Sequence, residues 1–100
     1  MQKVYSILDR VSREYGPLFL CSTDEEAVRT VRQAALYGKS NLSQFPKDFS
    51  LYRVGSFNLS SGVLSAVPVP VLVSDVGNIV NVDSDNLDLP QDDVDSSATN

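Results

Sequence analysis

The stretch KDFSLYRVGSF, residues 47–57, alternates apolar and polar side chains and therefore predicts a β-strand. Phe49, Leu51 and Phe57 share one parity, and we expect them to face the core. Gly55 interrupts that apolar row. A glycine inside a strand is typical of a bulge or of a close approach between two backbones.

Outward from this strand, three shorter apolar runs also predict strands, at residues 4–8, 18–22 and 63–67. Residues 23–38 predict a helix, because Thr23 precedes three acids in capping-box order and apolar residues follow at helical spacing. The apolar residues in that spacing are Ala27, Val28, Val31, Ala34 and Ala35.

The order β-β-α-β-β predicts an α+β fold, in which one helix packs on one face of a small antiparallel sheet. We expect a compact α+β domain at residues 1–66, a Val/Pro-rich extended segment at 67–82 and an acidic disordered tail at 83–100. Within the middle segment, residues 71–73 and 79–82 could add edge strands. A core this thin favours a homo-oligomer.

Charge divides the chain in two. Residues 1–62 contain eight Lys or Arg and six Asp or Glu, whereas residues 63–100 contain seven Asp and no basic residue. The first part therefore carries +2 and the second −7, and we expect them to meet different partners. The acidic tail could cover a basic surface, or it could simply keep the chain in solution.

The residue types that carry most catalytic chemistry are missing. The chain has no histidine and one cysteine, which excludes Ser-His-Asp and Cys-His devices, His-ligated metals and cysteine-rich zinc sites. No phosphate-binding loop is present either. We therefore expect no enzyme activity, no cofactor and no metal, and we interpret Cys21 as a small buried hydrophobe. The longest apolar run, residues 67–73, is too short to span a membrane.

Basic and aromatic side chains together suggest a nucleic-acid surface. Phosphate contacts combined with base stacking are what binding of single-stranded DNA without sequence preference requires. The candidate phosphate contacts are Arg10, Arg13, Arg29, Arg32, Lys39 and Arg53, and the candidate stacking residues are Tyr37 and Tyr52. The competing interpretation is a solvated helix face with tyrosines that belong to the core.

Several motifs resemble one family. They are VYSILD at residues 4–9, GPLF at 16–19, AVR at 27–29, FPKDFSLYRVGSF at 45–57 and the glycine at 62. Their order resembles the small nonstructural protein of gokushovirus-type microviruses, icosahedral phages with circular single-stranded DNA. Leu8, Leu18 and Asn58 depart from that pattern, which usually has an aromatic residue, a proline and an aspartate there.

The resemblance implies a nonstructural phage protein of the host cytoplasm that binds DNA during genome replication or during the switch to single-strand packaging. It implies no active site. Two hypotheses follow: a module that binds single-stranded DNA, or an interaction module that recruits a phage or host replication protein without touching DNA. Internal capsid scaffolding fits less well, because such proteins are helical throughout.

Overall fold

The computed structural model describes residues 1–81, which form one antiparallel sheet of five strands with a helix on one face. In chain order the elements are β1 (Gln2–Asp9), β2 (Glu14–Tyr15), β3 (Phe19–Cys21), α1 (Asp24–Tyr37), α2 (Asn41–Gln44), a 3-10 turn (Pro46–Asp48), β4 (Phe49–Phe57) and β5 (Leu64–Asp75). Residues 76–81 are helical. The predicted α+β class is confirmed. The predicted disordered tail, residues 83–100, lies outside the described residues.

The strand order is β2-β1-β4-β5, and β3 pairs with the first half of β1. β2 pairs with the last residues of β1, so β2 and β3 lie in line along the same side of that strand. β5 forms the opposite edge of the sheet. Every pairing is antiparallel, as the hairpin-like order of the sequence predicts.

Helix α1 begins where the capping pattern predicts. The backbone N–H of Glu26 donates to Oγ1 of Thr23 at 3.1 Å. The Glu26 carboxylate accepts from the N–H of Ser22 rather than from that of Thr23, at 2.6 Å, so the box closes one residue earlier than expected. The helix ends before Gly38, whose N–H donates to the carbonyl of Ala34 at 3.0 Å. A side chain at Gly38 would collide with that carbonyl, at 2.4 Å.

The core lies between α1 and the sheet. Its buried members are Tyr5, Cys21, Ala27, Val31, Ala35, Leu51, Val76 and Ile79. The last two come from the segment predicted to be extended. β5 itself runs through the predicted boundary at residue 66, and residues 71–73 do form an edge strand. The predicted strand at residues 79–82 is wrong where the structure describes it, because a helical turn puts Val76 and Ile79, three residues apart, onto the core together.

The pairing of β1 with β4 contains a bulge, and because of it the predicted buried row of Phe49, Leu51 and Phe57 is only partly correct. Val4 pairs with Gly55 and Tyr5 with Arg53, so one residue of β4 is left unpaired between them. Because the side-chain period is two, one extra residue moves everything beyond it to the other face. Phe49 and Leu51 therefore pack into the core as predicted, whereas Phe57 lies on the face opposite α1, which we name the open face.

Gly55 lies at a close approach between two backbones and beside a bulge, the two features that a glycine inside a strand predicts. A Cβ at Gly55 would lie 2.3 Å from the carbonyl oxygen of Ser65, so the two backbones approach too closely for any side chain. Beside it, the pairing of β5 with β4 passes from Ala66 directly to Val71, so residues 67–70 form a long bulge. Both prolines of β5 fall within this bulge, where they remove no donor from the paired ladder.

Candidate interaction surfaces

The residues predicted to contact DNA do not form a single surface. Arg29, Arg32 and Tyr37 belong to α1 and Lys39 follows it, whereas Arg53 comes from β4. Arg10 and Arg13 lie in the connection between β1 and β2. Tyr52 lies on the open face, because it pairs with Ser6 and alternates with the core residue Leu51. The structure therefore distributes the eight side chains over both sides of the sheet.

Arg10 is bound within the fold. Its guanidinium lies 3.2 Å from Oδ1 of Asp75, donates to the carbonyl of Phe49 at 3.3 Å, and also donates to Ser50 Oγ and to the Lys47 carbonyl. Ser50 in turn donates to the same Asp75 oxygen at 2.7 Å. This arginine joins the start of β4 to the end of β5, and both of its terminal nitrogens have partners within the fold.

Arg53 is also drawn toward an acid. Its Nε lies 3.8 Å from Oδ1 of Asp24, the first residue of α1. That distance fits an ion pair but not a hydrogen bond, and within residues 1–81 the buried Nε has no hydrogen-bond partner. The same Asp24 oxygen accepts the hydroxyl of Tyr5 at 2.6 Å. Tyr5 is fully buried, so it belongs to the core and not to a basic surface.

Arg29 and Arg32 are brought together. They line one shallow depression of about 450 Å³ beside α1, together with Asp24, Glu25, Val28 and Val73. Glu25 precedes Arg29 by four residues, a spacing that favours an ion pair on a helix, but the two form no ion pair among the described residues. The two acids lower the positive potential of this depression, which therefore carries side chains of both charges.

The remaining candidates are dispersed. Tyr37 is 73% exposed at the end of α1, and Lys39 is exposed just after it. Arg13 is exposed in a tight turn at φ 64°, where its N–H donates to the carbonyl of Asp9 at 2.7 Å. Tyr52 packs edge-on against Tyr15, with ring centroids 5.7 Å apart. Stacking and phosphate contacts therefore do not converge around one groove.

The second candidate surface is the free edge of β5, which lies in the segment where the sequence suggested edge strands. β5 is the longest strand, with 12 residues, and its outer side pairs with no strand among residues 1–81. Residues 64–74 contain no charge. Most side chains along the strand are exposed, Leu64, Val69, Val71 and Leu72 among them. Uncharged and exposed edges are rare in proteins that function alone, because they invite pairing with another chain.

The described residues offer no metal site that would compete with these surfaces. Within that part of the chain, no cluster of three His, Cys, Asp or Glu residues could hold a metal ion. Cys21 is buried, as predicted, with Thr30 Oγ1 3.9 Å from its sulfur. No helix within residues 1–81 is long and apolar enough to cross a lipid bilayer.

Fold and surfaces together define a small α+β protein with an exposed sheet edge. The family described as Phage ORF5 protein matches residues 2–79. The chain belongs to this family, and is thus a phage protein. No curated protein and no solved structure matches it.

Proposed function

We propose that this phage protein is a non-enzymatic interaction module that recruits a phage or host replication protein through the free edge of β5. The observation that carries the proposal is that edge: a long strand at the rim of the sheet, without charge from residue 64 to residue 74, with unpaired backbone groups on its outer side among residues 1–81. The resemblance to gokushovirus-type nonstructural proteins supports a role in genome replication, in the cytoplasm of the infected host.

A partner would add an extended segment to this edge, with main-chain hydrogen bonds for affinity and side-chain contacts for selectivity. The bulge at residues 67–70 prevents pairing along the whole strand. The partner segment is therefore short and pairs beside Val71 and Leu72, which are 40% and 52% exposed. The absence of charge from residues 64–74 favours an apolar partner segment.

The test is capture of partners from infected cells with the tagged full chain, before and after nuclease treatment. Val71→Lys places a charge on the edge and should reduce capture of nuclease-resistant partners at least about tenfold, since a buried interface contact is worth on the order of 1.4 kcal/mol. Val11→Lys is the matched control, because Val11 is 74% exposed in the β1–β2 connection, away from the edge. Equal capture by the two variants contradicts the proposal.

Binding of single-stranded DNA is a second candidate, and one observation favours it. Arg29 and Arg32 line the same depression on α1, and the resemblance implies DNA binding. Two acids share that depression, so we expect weak affinity that falls steeply as salt is added. The competing acidic tail, residues 83–100, would lower it further.

Fluorescence anisotropy with a labelled oligothymidylate at low salt tests this second candidate. Arg29→Glu should abolish binding, and removal of residues 83–100 should strengthen it. Val11→Lys, which adds a cation outside the depression, serves as the control. No binding by the full chain or by the trimmed chain at low salt excludes direct DNA contact and leaves the interaction module.

A further inference from the structure

The open face of the sheet is almost without charge. The strand registers place on it Gln2, Val4, Ser6, Leu8, Tyr15, Leu20, Ser50, Tyr52, Phe57, Leu64, Ala66, Leu72 and Asp75. Asp75 alone of these is ionisable as an acid or base near neutral pH, and Arg10 pairs with it at 3.2 Å. The face therefore carries one compensated ion pair at its end and no net charge to attract nucleic acid or a basic partner.

The polar groups on this face are already satisfied within the fold. Ser6 and Ser50 are buried; Ser6 donates to the carbonyl of Gly16 at 2.9 Å, and Ser50 donates to Asp75. Around them stand exposed apolar side chains, with Leu64 at 60% and Leu72 at 52% exposure. No element among residues 1–81 covers them. A sheet normally buries both faces or keeps one polar, and this one does neither.

The shape of the open face differs between its two ends. At one end an open hollow of about 180 Å³ is lined by Val4, Leu18, Val54, Leu64 and Ala66, among others, and its walls are apolar. At the other end the Tyr15 and Tyr52 rings stand in edge-on contact, and Leu72 pairs beside Tyr52. A depression at one end and bulky side chains at the other are complementary when one copy is turned end over end.

We infer that the open face binds the open face of a second copy of this chain. The two sheets pack about 10 Å apart as a sandwich, related by a two-fold axis that lies between them and runs across the strands. This axis puts each strand over its own counterpart with the ends exchanged. Leu72 and Tyr52 of each copy then enter the hollow of the other, beside its Leu64.

Charge and area favour a second copy as the occupant. A two-fold contact brings the same face of each copy together, which a face without net charge tolerates and a face of one charge sign does not. Strands rise about 3.4 Å per residue and lie about 4.8 Å apart, so four neighbouring strands as long as β1, which has 8 residues, cover a projected area of roughly 500 Å². Because side chains protrude from the sheet, the accessible area is larger than the projected area and approaches the ~800 Å² per partner of a standard interface. The chain's own tail, residues 82–100, carries six Asp, which this face cannot pair.

The experiment is sedimentation equilibrium of the full chain over a range of concentrations. Wild type should be dimeric, and Leu64→Lys and Leu72→Glu should each be monomeric with the dimer Kd raised at least about 100-fold, because each change occurs twice per dimer at about tenfold each. Both side chains are exposed in one copy, so the variants should keep the circular dichroism of wild type. Mixing the two variants should restore dimers, because the cation introduced by Leu64→Lys then meets the anion introduced by Leu72→Glu.

Val71→Lys is the matched control on the same strand. Val71 pairs with Arg53, so it lies on the helix face, and this variant should remain dimeric even where it loses partner capture. A wild-type chain that is monomeric at all concentrations overturns the inference. Dimers that survive in both single variants, or a mixture that stays monomeric, overturn the two-fold arrangement. A dimer lost in Val71→Lys but kept in Leu64→Lys would place the contact at the edge instead.

Discussion

The hydroxyl of Tyr5 donates a 2.6 Å hydrogen bond to Oδ1 of Asp24, and so connects the central strand β1 to the first residue of α1. The Nε of Arg53 lies 3.8 Å from the same oxygen. One carboxylate thus receives a phenol from β1 and a guanidinium from β4. The contact also removes Arg53 and Tyr5 from any basic surface, since their polar groups are directed to the N-terminus of the helix.

Tyr5→Phe should lower the free energy of unfolding by about 1–2 kcal/mol, because a hydrogen bond to a charged acceptor is lost while the ring remains in the core. Urea unfolding followed by circular dichroism measures this. Tyr37→Phe is the control: Tyr37 is exposed, and we expect no change there. Equal stability of the two variants would show that the Tyr5–Asp24 contact does not stabilise the fold.

Stability should also depend on pH through Tyr5. Burial raises the pKa of the Tyr5 phenol above its ordinary value of 10.0, and the hydrogen bond to Asp24 raises the pKa further. The folded chain therefore keeps this proton to higher pH than the unfolded chain. Its contribution is constant below about pH 10 and is lost above it, at about 1.4 kcal/mol per pH unit. Unfolding titrations should show this slope for wild type and not for Tyr5→Phe.

Gly55→Ala should destabilise the sheet by about 1–3 kcal/mol, because the new Cβ would lie 2.3 Å from the Ser65 carbonyl and β4 and β5 would have to separate. Gly16→Ala is the matched control. A Cβ at Gly16 would meet only the carbonyl of Ile7 at 3.6 Å, an ordinary contact, so we expect little change. Thermal unfolding of the two variants checks the difference, and a tolerated Gly55→Ala would contradict the close approach.

Thr23→Ala should cost about 1 kcal/mol, because the N–H of Glu26 loses its acceptor at the start of α1. Thr23→Ser keeps the oxygen and should behave as wild type. Chemical denaturation of the three chains gives the comparison. If the serine variant is as unstable as the alanine variant, the methyl group and not the cap is responsible.

The Arg10–Asp75 pair should contribute little by charge alone. Their side chains are 42% and 45% exposed, and exposed ion pairs are worth below about 1 kcal/mol. Arg10→Ala should nevertheless cost more than Asp75→Asn, since Arg10 also donates to the carbonyls of Lys47 and Phe49. A double-mutant cycle at two salt concentrations separates the two effects. A coupling energy well above about 1 kcal/mol, insensitive to salt, would contradict this assignment.

Local pattern was enough for most of the elements. The capping residues and the 3.6-residue spacing of α1 lie within one short stretch, and so does the alternation of β4, so each could be read without knowledge of distant residues. The two-residue strand β2 had no such signal, because Glu14 and Tyr15 pair only through their position opposite Leu8 and Asp9. The helix at residues 76–81 was missed because valine-rich segments favour strands locally, and burial in the core outweighed that preference.

The candidate surfaces depended far more on the tertiary structure. Arg10 meets an acid 65 residues away in the chain, and Arg53 meets one at the start of a helix; no spacing rule connects such pairs. The open face could be identified only from the strand registers, because they determine which side chains lie on the side of the sheet opposite α1. A single unpaired residue of β4 moved Phe57 away from the core row that its parity predicted.

By itself the sequence determined the helix and its cap, the principal strands, the division of charge and the absence of histidine, since each depends on residues close in the chain or on composition alone. Tertiary structure decided which arginines are paired with acids, which strand is left at the edge and which sheet face is left almost without charge. Those properties arise from contacts between residues far apart in sequence, where one bulge or one distant carboxylate changes the surface that a partner meets.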